Sequence, residues 1–285
     1  MTLEEQLKEF RATRRVEMLA IGTSTWTWFD SHGSRPALLL LHGGLGDGES
    51  FFQLFSPLAM HFRVLSVSIP PALSSIRVTI NGLADLLDHL QIDKISVYGH
   101  SQGGYLAQRL LSDKPSRVAN LALSGTCLPS ESHARTLERQ LRIVQFLPDA
   151  LLRAAAAAQF RRILRRDASE LGTEERRFWL RYFVEGLQTN GLRSRILSSA
   201  RLQLDYHRGP VPPAGVPQMW SGQILVVTFG HDSLISMDDA ARLSERYPSA
   251  RHVAFREQGH LGPIVKPRAL AEVLATLIPE HLNGS

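Results

Sequence analysis

Cysteine is almost absent from this chain. Cys127 is the single one in 285 residues, which rules out an internal disulfide framework and fits a reducing compartment. No apolar run approaches the ~20 residues that a membrane-crossing helix needs, so we expect no membrane span and a cytoplasmic location. Metal signatures are missing too. There is no HExxH, no CxxC pair and no His or Cys cluster at ligand spacing, and neither a metal nor a cofactor is expected. The glycine-rich stretch His42-Gly43-Gly44-Leu45-Gly46 is not a phosphate loop, because it lacks both the GK[ST] ending and the GxGxxG spacing. No nucleic-acid-binding motif accompanies the basic residues, so nucleic acid is not an expected partner. The opening stretch Met1–Phe10 is charged and amphipathic, unlike a signal peptide.

What is present is the material of a folded α/β protein. Hydrophobic residues make up 44% of the chain, which excludes a disordered polymer, and the length suits one large domain or one domain with an insertion. Short β-branched or Leu-rich runs at 36–41, 63–69, 94–98, 118–125, 223–229 and 251–255 read as strands. Between them, 51–61, 78–91, 105–112, 237–247 and 267–278 carry helical patterns. Such alternation predicts a parallel sheet with helices on both faces. The stretch 23–30 reads as an antiparallel leading strand, with Trp26 and Trp28 as core residues.

The rhythm breaks after Cys127. Residues 128–209 read as helical only, before Pro210, Pro212, Pro213 and Pro217 mark the return to a strand. We therefore expect a core of 1–127 and 211–285 with a helical cap at 128–210. The stretch 128–209 holds 15 Arg, no Lys and 9 acidic residues, so all the excess positive charge lies there. A solvated helical face accounts for it; attraction of acidic substrates, a carrier protein or a membrane surface is the alternative.

Gly99-His100-Ser101-Gln102-Gly103 follows one strand and precedes one helix. A GxSxG pentapeptide turns up by chance in roughly one chain in ten of this length. Its place between strand and helix is what makes it informative: glycines on either side let a serine sit on a strained turn, reachable by a base and by substrate. A serine nucleophile then needs a base, an orienting acid and donors for an oxyanion. His260, between two glycines after the last strand, is the candidate base. Asp232, at the end of the 223–229 strand, is the candidate acid, with Asp205 as its rival. The amides of Gln102 and Gly44 are the candidate oxyanion donors, with Leu45 as the alternative to Gly44. Phe146, Leu147, Leu151, Phe178, Trp179 and Phe183 are candidates for an apolar acyl pocket, or for packing between cap and core.

These residues, in this order along the chain, resemble the α/β-hydrolase superfamily. The resemblance implies an eight-stranded, mostly parallel sheet with strand two antiparallel and a cap after strand six. It also implies cofactor-free attack on an ester, thioester, lactone, amide or activated carbon–carbon bond. The stretch 86–94 and the continuation Gly104–Gln108 look like the maspardin branch, which keeps a non-catalytic binding or adaptor role in view. Two features depart from the family pattern. Pro70-Pro71-Ala72-Leu73-Ser74-Ser75 replaces a D-x-x-G-x-G-x-S loop, and the acid turn reads Gly-His-Asp. The expectation is a serine hydrolase acting on a small-molecule carboxylic ester, with thioesterase, C–C hydrolase and acyl-transfer or cyclising chemistry as alternatives.

Overall fold

A computed structural model describes residues 1–186, 189–212 and 220–277 of the chain. Its centre is one eight-stranded sheet in the order β1-β2-β4-β3-β5-β6-β7-β8. The strands are β1 (Val16–Ile21), β2 (Ser24–Asp30), β3 (Ala37–Leu41), β4 (Arg63–Ser68), β5 (Ile95–His100), β6 (Val118–Ser124), β7 (Ile224–Phe229) and β8 (Arg251–Phe255). β2 runs antiparallel to both β1 and β4, and every other pairing is parallel. β3 and β5 are buried along almost their whole length, which is why they read as unbroken apolar runs without alternation.

Helices cover both faces. α1 (Leu3–Thr13), α2 (Phe52–Ala59) and α11 (Pro267–Ala275) lie on one side, their Phe10, Phe55 and Leu274 sharing a buried cluster with Leu38 and Leu40. On the other side α3 (Ile76–His89), α4 (Gln102–Asp113) and α9 (Met237–Arg246) pack Leu83, Leu106 and Leu243 against Leu39, Leu41 and Val97. The alternation of Leu residues along β3 thus feeds two separate cores. Between β6 and β7 the described chain is helical: α5 (Glu131–Val144), α6 (Asp149–Asp167), α7 (Thr173–Leu180), a π-helical turn (Arg181–Glu185) and α8 (Thr189–Arg208). A four-residue α10 (Gly262–Val265) precedes α11. None of these helices is long and apolar enough to cross a membrane.

The structure corrects the sequence reading in two places. The leading strand is β1, and the stretch carrying Trp26 and Trp28 is second. β1 escapes a pattern search because its residues alternate between exposed and half-buried. α4 starts at Gln102, three residues before the expected Tyr105, because its first turn contains the two glycines that a propensity count rejects. The expected helix end at Ile278, and Pro213 and Pro217, lie outside the described residues.

Both tryptophans are core residues. Trp26 packs over the bare backbone of Gly82 in α3, where an added Cβ would come within 2.4 Å of its ring. Trp26→Ala should therefore lower unfolding free energy by about 3–5 kcal/mol, read from the denaturation midpoint at an unchanged slope.

Candidate active site

Ser101 stands between β5 and α4 with φ +54° and ψ −119°, a left-handed conformation that a side-chain-bearing residue adopts only when its surroundings demand it. Its neighbours make that demand. A Cβ at Gly103 would fall 2.0 Å from the Leu41 carbonyl oxygen, and one at Gly99 would fall 2.3 Å from that of Gly103. The strand end and the first turn of α4 therefore approach at backbone distance, and the Ser101 amide donates to the Ser124 carbonyl at 2.9 Å.

Two loops at the same edge of the sheet bring His260 and Asp232 together. His260 Nδ1 lies 2.9 Å from Asp232 Oδ2 and 3.1 Å from Oδ1, with both side chains buried. A carboxylate only accepts, so Nδ1 carries a proton, and in the neutral ring Nε2 is then the acceptor. The amides of Leu234 and Ile235 both donate to Asp232 Oδ1 at 2.8 Å. Burial works to raise the Asp232 carboxyl. The His260 hydrogen bond and charge and the two amides outweigh it, and its pKa falls below the ordinary 3.8. Ser101 and His260 face one cavity, with no hydrogen bond between them in this state. The rival acid is engaged elsewhere, since Asp205 Oδ2 accepts from the Ile76 amide at 2.7 Å and so holds the start of α3.

Gly43 and Gly44 follow β3 and border the serine. A Cβ at Gly43 would touch Ser101 Cβ at 3.5 Å. Neither the Gly44 nor the Gln102 amide has a backbone acceptor among the described residues. Leu45 lines the same cavity, and its carbonyl takes a hydrogen bond from Arg195 of α8.

Sequence reasoning missed several supports. His42 Nε2 accepts from the Ile69 amide at 3.1 Å and Nδ1 donates to the Gly43 carbonyl at 2.7 Å, which clamps the glycine loop to the end of β4. His100 stands 4.9 Å from His260, ring centre to ring centre, and bonds through Ser124 Oγ to Tyr98 Oη. Burial, aided by the neighbouring His260, pushes the His100 pKa down to about 3, so this ring stays neutral. The Gln102 side chain accepts from Ser199 Oγ of α8 at 2.5 Å. Apart from the bond between His42 and its neighbour Gly43, no short-range signal marks these contacts, because the partners lie more than 20 residues apart in the chain.

The cavity over Ser101 measures about 410 Å³. Phe160 and Ile163 of α6, Phe183 of the π-helical turn and Ile196 of α8 form its apolar wall. Of the six expected acyl-pocket residues only Phe183 lines it. Phe146 and Leu151 are exposed, while Phe178 and Trp179 pack against Phe52 of the core. The aromatic stripe of α7 is thus a packing face.

One group of cysteine and histidine among the described residues has metal-ligand chemistry: Cys127, His133 and His207, with ligand atoms within 4.8 Å of one another. The sequence separates them too widely for a spacing motif. His207 Nδ1 already accepts from the Ser130 amide, and the two imidazoles stack at 15° with centroids 5.0 Å apart, so their lone pairs lie in separate near-parallel planes and do not meet at one ion. As arranged, the group does not fit a tetrahedral ion.

Comparison with known proteins adds a lineage. The model of the alpha/beta hydrolase fold matches residues 36–267. Maspardin of Danio rerio is 31% identical over 122 residues, 40% of this chain and 39% of that protein. A proline iminopeptidase of Pestalotiopsis fici is 34% identical over 121 residues, 37% of this chain and 43% of that one. The chain thus spans less than half the length of the curated relatives it matches. Among solved structures, a hydrolase from Pseudomonas aeruginosa superposes with TM-score 0.74 at 18% identity, covering 93% of this chain and 98% of that one. The 2-hydroxy-6-oxo-6-phenylhexa-2,4-dienoate hydrolase of a Rhodococcus species superposes with TM-score 0.71 at 19% identity, covering 93% and 99%.

The depressed carboxyl of Asp232 has a signature in stability. Asp232→Asn should cost about 2 kcal/mol at neutral pH, the scale of a hydrogen bond to a charged group. The Asp232 contribution is complete above the ordinary carboxylate value of 3.8 and disappears as pH falls through its lower folded value. Urea titrations of both proteins should show the gap closing below about pH 4.

Proposed function

The chain belongs to the alpha/beta hydrolase fold family, and from that membership we propose that it is a serine hydrolase of neutral carboxylic esters, working through an acyl-enzyme. The observation that carries this reading is the His260–Asp232 pair beside a serine held at positive φ. Asp232 keeps the imidazole in the tautomer whose Nε2 accepts the Ser101 proton as Oγ attacks the ester carbonyl. The Gly44 and Gln102 amides receive the developing oxyanion, each worth about 3 kcal/mol to the transition state. Collapse of the tetrahedral intermediate breaks the ester C–O bond, and the His260 imidazolium protonates the departing alkoxide. Water then gives its proton to His260 and attacks the acyl carbon, which releases the acid and restores Ser101.

Residues 128–210 serve in this reading as a cap that shapes the acyl pocket. α8 supports that role through several ties to the core, among them Ser199 to Gln102, Arg195 to Asp47 and Ser198 to the Pro71 carbonyl. The proline-rich 70–75 loop is therefore a seat for α8. The cavity wall also narrows the substrate class. Among the described residues lining it there is no Lys, Arg, Asp or Glu. A substrate carboxylate, such as that in the name of the Rhodococcus enzyme, would enter with no basic partner. This favours a neutral acyl chain over acidic C–C hydrolase substrates. The fold and the same residues are equally compatible with thioester cleavage or acyl transfer to another acceptor.

A fluorophosphonate probe should label the wild-type protein and leave Ser101→Ala and His260→Ala unlabelled; a folded wild type that takes up no probe contradicts the reading. Neutral acyl esters should exceed their ω-carboxy counterparts in kcat/KM by about 10²-fold or more, the cost of burying an unpaired carboxylate. Equal rates with both would remove the argument from the cavity wall.

A further inference from the structure

The two loops that carry His260 and Asp232 are joined by a residue from neither. Asp167 is the last residue of α6, in the helical segment, and its side chain is fully buried. Its Oδ2 accepts three hydrogen bonds: from the Ser233 amide at 3.2 Å, from Ser233 Oγ at 2.7 Å and from the His260 amide at 3.2 Å. Ser233 follows Asp232 directly, so one oxygen grips the acid turn and the base loop at the residues that matter. Oδ1 is buried without a hydrogen-bond partner among the described residues. The grip is therefore made by one atom.

Adjacent packing agrees. A Cβ at Gly259 would lie 2.3 Å from Asp167 Cα, so the residue before His260 is bare in order to admit α6. Three residues beyond Asp167, Glu170 takes a hydrogen bond from Gln258 at 2.5 Å and an ion pair from Lys266. The base loop is thus moored to the end of α6 at several points. Besides the His260–Asp232 bond itself, the backbone of the two loops is tied next to the site by the bond from the His231 amide to the Gln258 carbonyl at 2.9 Å, one residue before Asp232 and two before His260.

We propose that Asp167 is a positioning residue for the His260–Asp232 pair: its single engaged oxygen, supplied by the helical segment, sets the spacing of the acid turn and the base loop. The proposal rests on the serine-hydrolase reading above. It makes the end of α6 part of the catalytic frame, so that a displacement of that helix shifts the base as well as the pocket wall. A carboxylate buried among neutral donors is a costly choice for packing alone, and the donors it gathers come from both catalytic loops.

The test compares Asp167→Ala, Asp167→Asn and Ser233→Ala with wild type on one neutral ester, with melting temperatures recorded for all. Asp167→Ala should lower kcat about 10- to 100-fold with KM within about threefold, the pattern of misplaced catalytic groups at an intact binding site. Asp167→Asn keeps an acceptor oxygen for the three donors and should recover kcat to within about fivefold of wild type, whatever its melting temperature. Ser233→Ala removes one of the three donors and should lower kcat by a smaller factor. It also serves as the test should Asp167→Ala not fold. A folded Asp167→Ala with wild-type kcat, an Asn variant as slow as the Ala variant, or a Ser233→Ala with unchanged kcat each overturns the proposal. These outcomes are separable from failure of the underlying reading, in which the wild type itself takes no probe at Ser101.

Discussion

Everything at the site depends on one backbone contact, the approach of the first turn of α4 to the end of β3 at Gly103. With any side chain at that position the Leu41 carbonyl would have to move, and with it the loop of Gly43 and Gly44. The same contact forces Ser101 into its left-handed turn and sets its amide on the Ser124 carbonyl. The strain of that turn, of order 1–3 kcal/mol, is offset by the burial of β3 and β5 on both faces. A rigid sheet edge thus does for the serine what no local sequence preference could do.

Three histidines meet at this edge, and burial and bonding give each a different role. His42 is filled at both ring nitrogens and ties the glycine loop to β4. His100 is bonded into the Ser124–Tyr98 chain, and burial keeps it neutral. His260 has its Nδ1 proton committed to Asp232, so the lone pair of Nε2 is the basic site left for the cavity. The low pKa of Asp232 follows from the same pairing, since its negative charge is stabilised by the imidazole and by two amides in spite of burial. Asp167 extends the arrangement into the helical segment.

Much of this could be read in the sequence, and the reasons are local. Six of the eight strands announce themselves as short runs; β3 to β7 do so because they are buried on both faces, whereas β8, at the sheet edge, is exposed or half-buried. Ser101, Asp232 and His260 stand in the loops that follow strands, where glycine and turn residues mark them as candidates; the sequence leaves Asp205 open as an alternative acid, which the structure ties to the Ile76 amide. The misses are long-range. The pocket wall comes from several helical elements, and residue type alone could not tell Phe183, which faces the cavity, from Phe178, which faces Phe52. In sequence Asp167 is an ordinary acid at the end of an arginine-rich helix, and its hydrogen bonds come from Ser233 and His260, 66 and 93 residues away. Local chemistry is legible in one dimension. The choice of which helix face meets which loop is not.

The account stands or falls on a covalent bond at Ser101. Mixing the protein with excess of a slowly hydrolysed neutral ester, quenching in acid during the first turnover and measuring the mass of the peptide containing Ser101 tests it directly. An added acyl mass on that peptide, appearing together with a burst of released alcohol, is the predicted result. Ester turnover with no burst, or with the acyl group on another residue, would contradict the account.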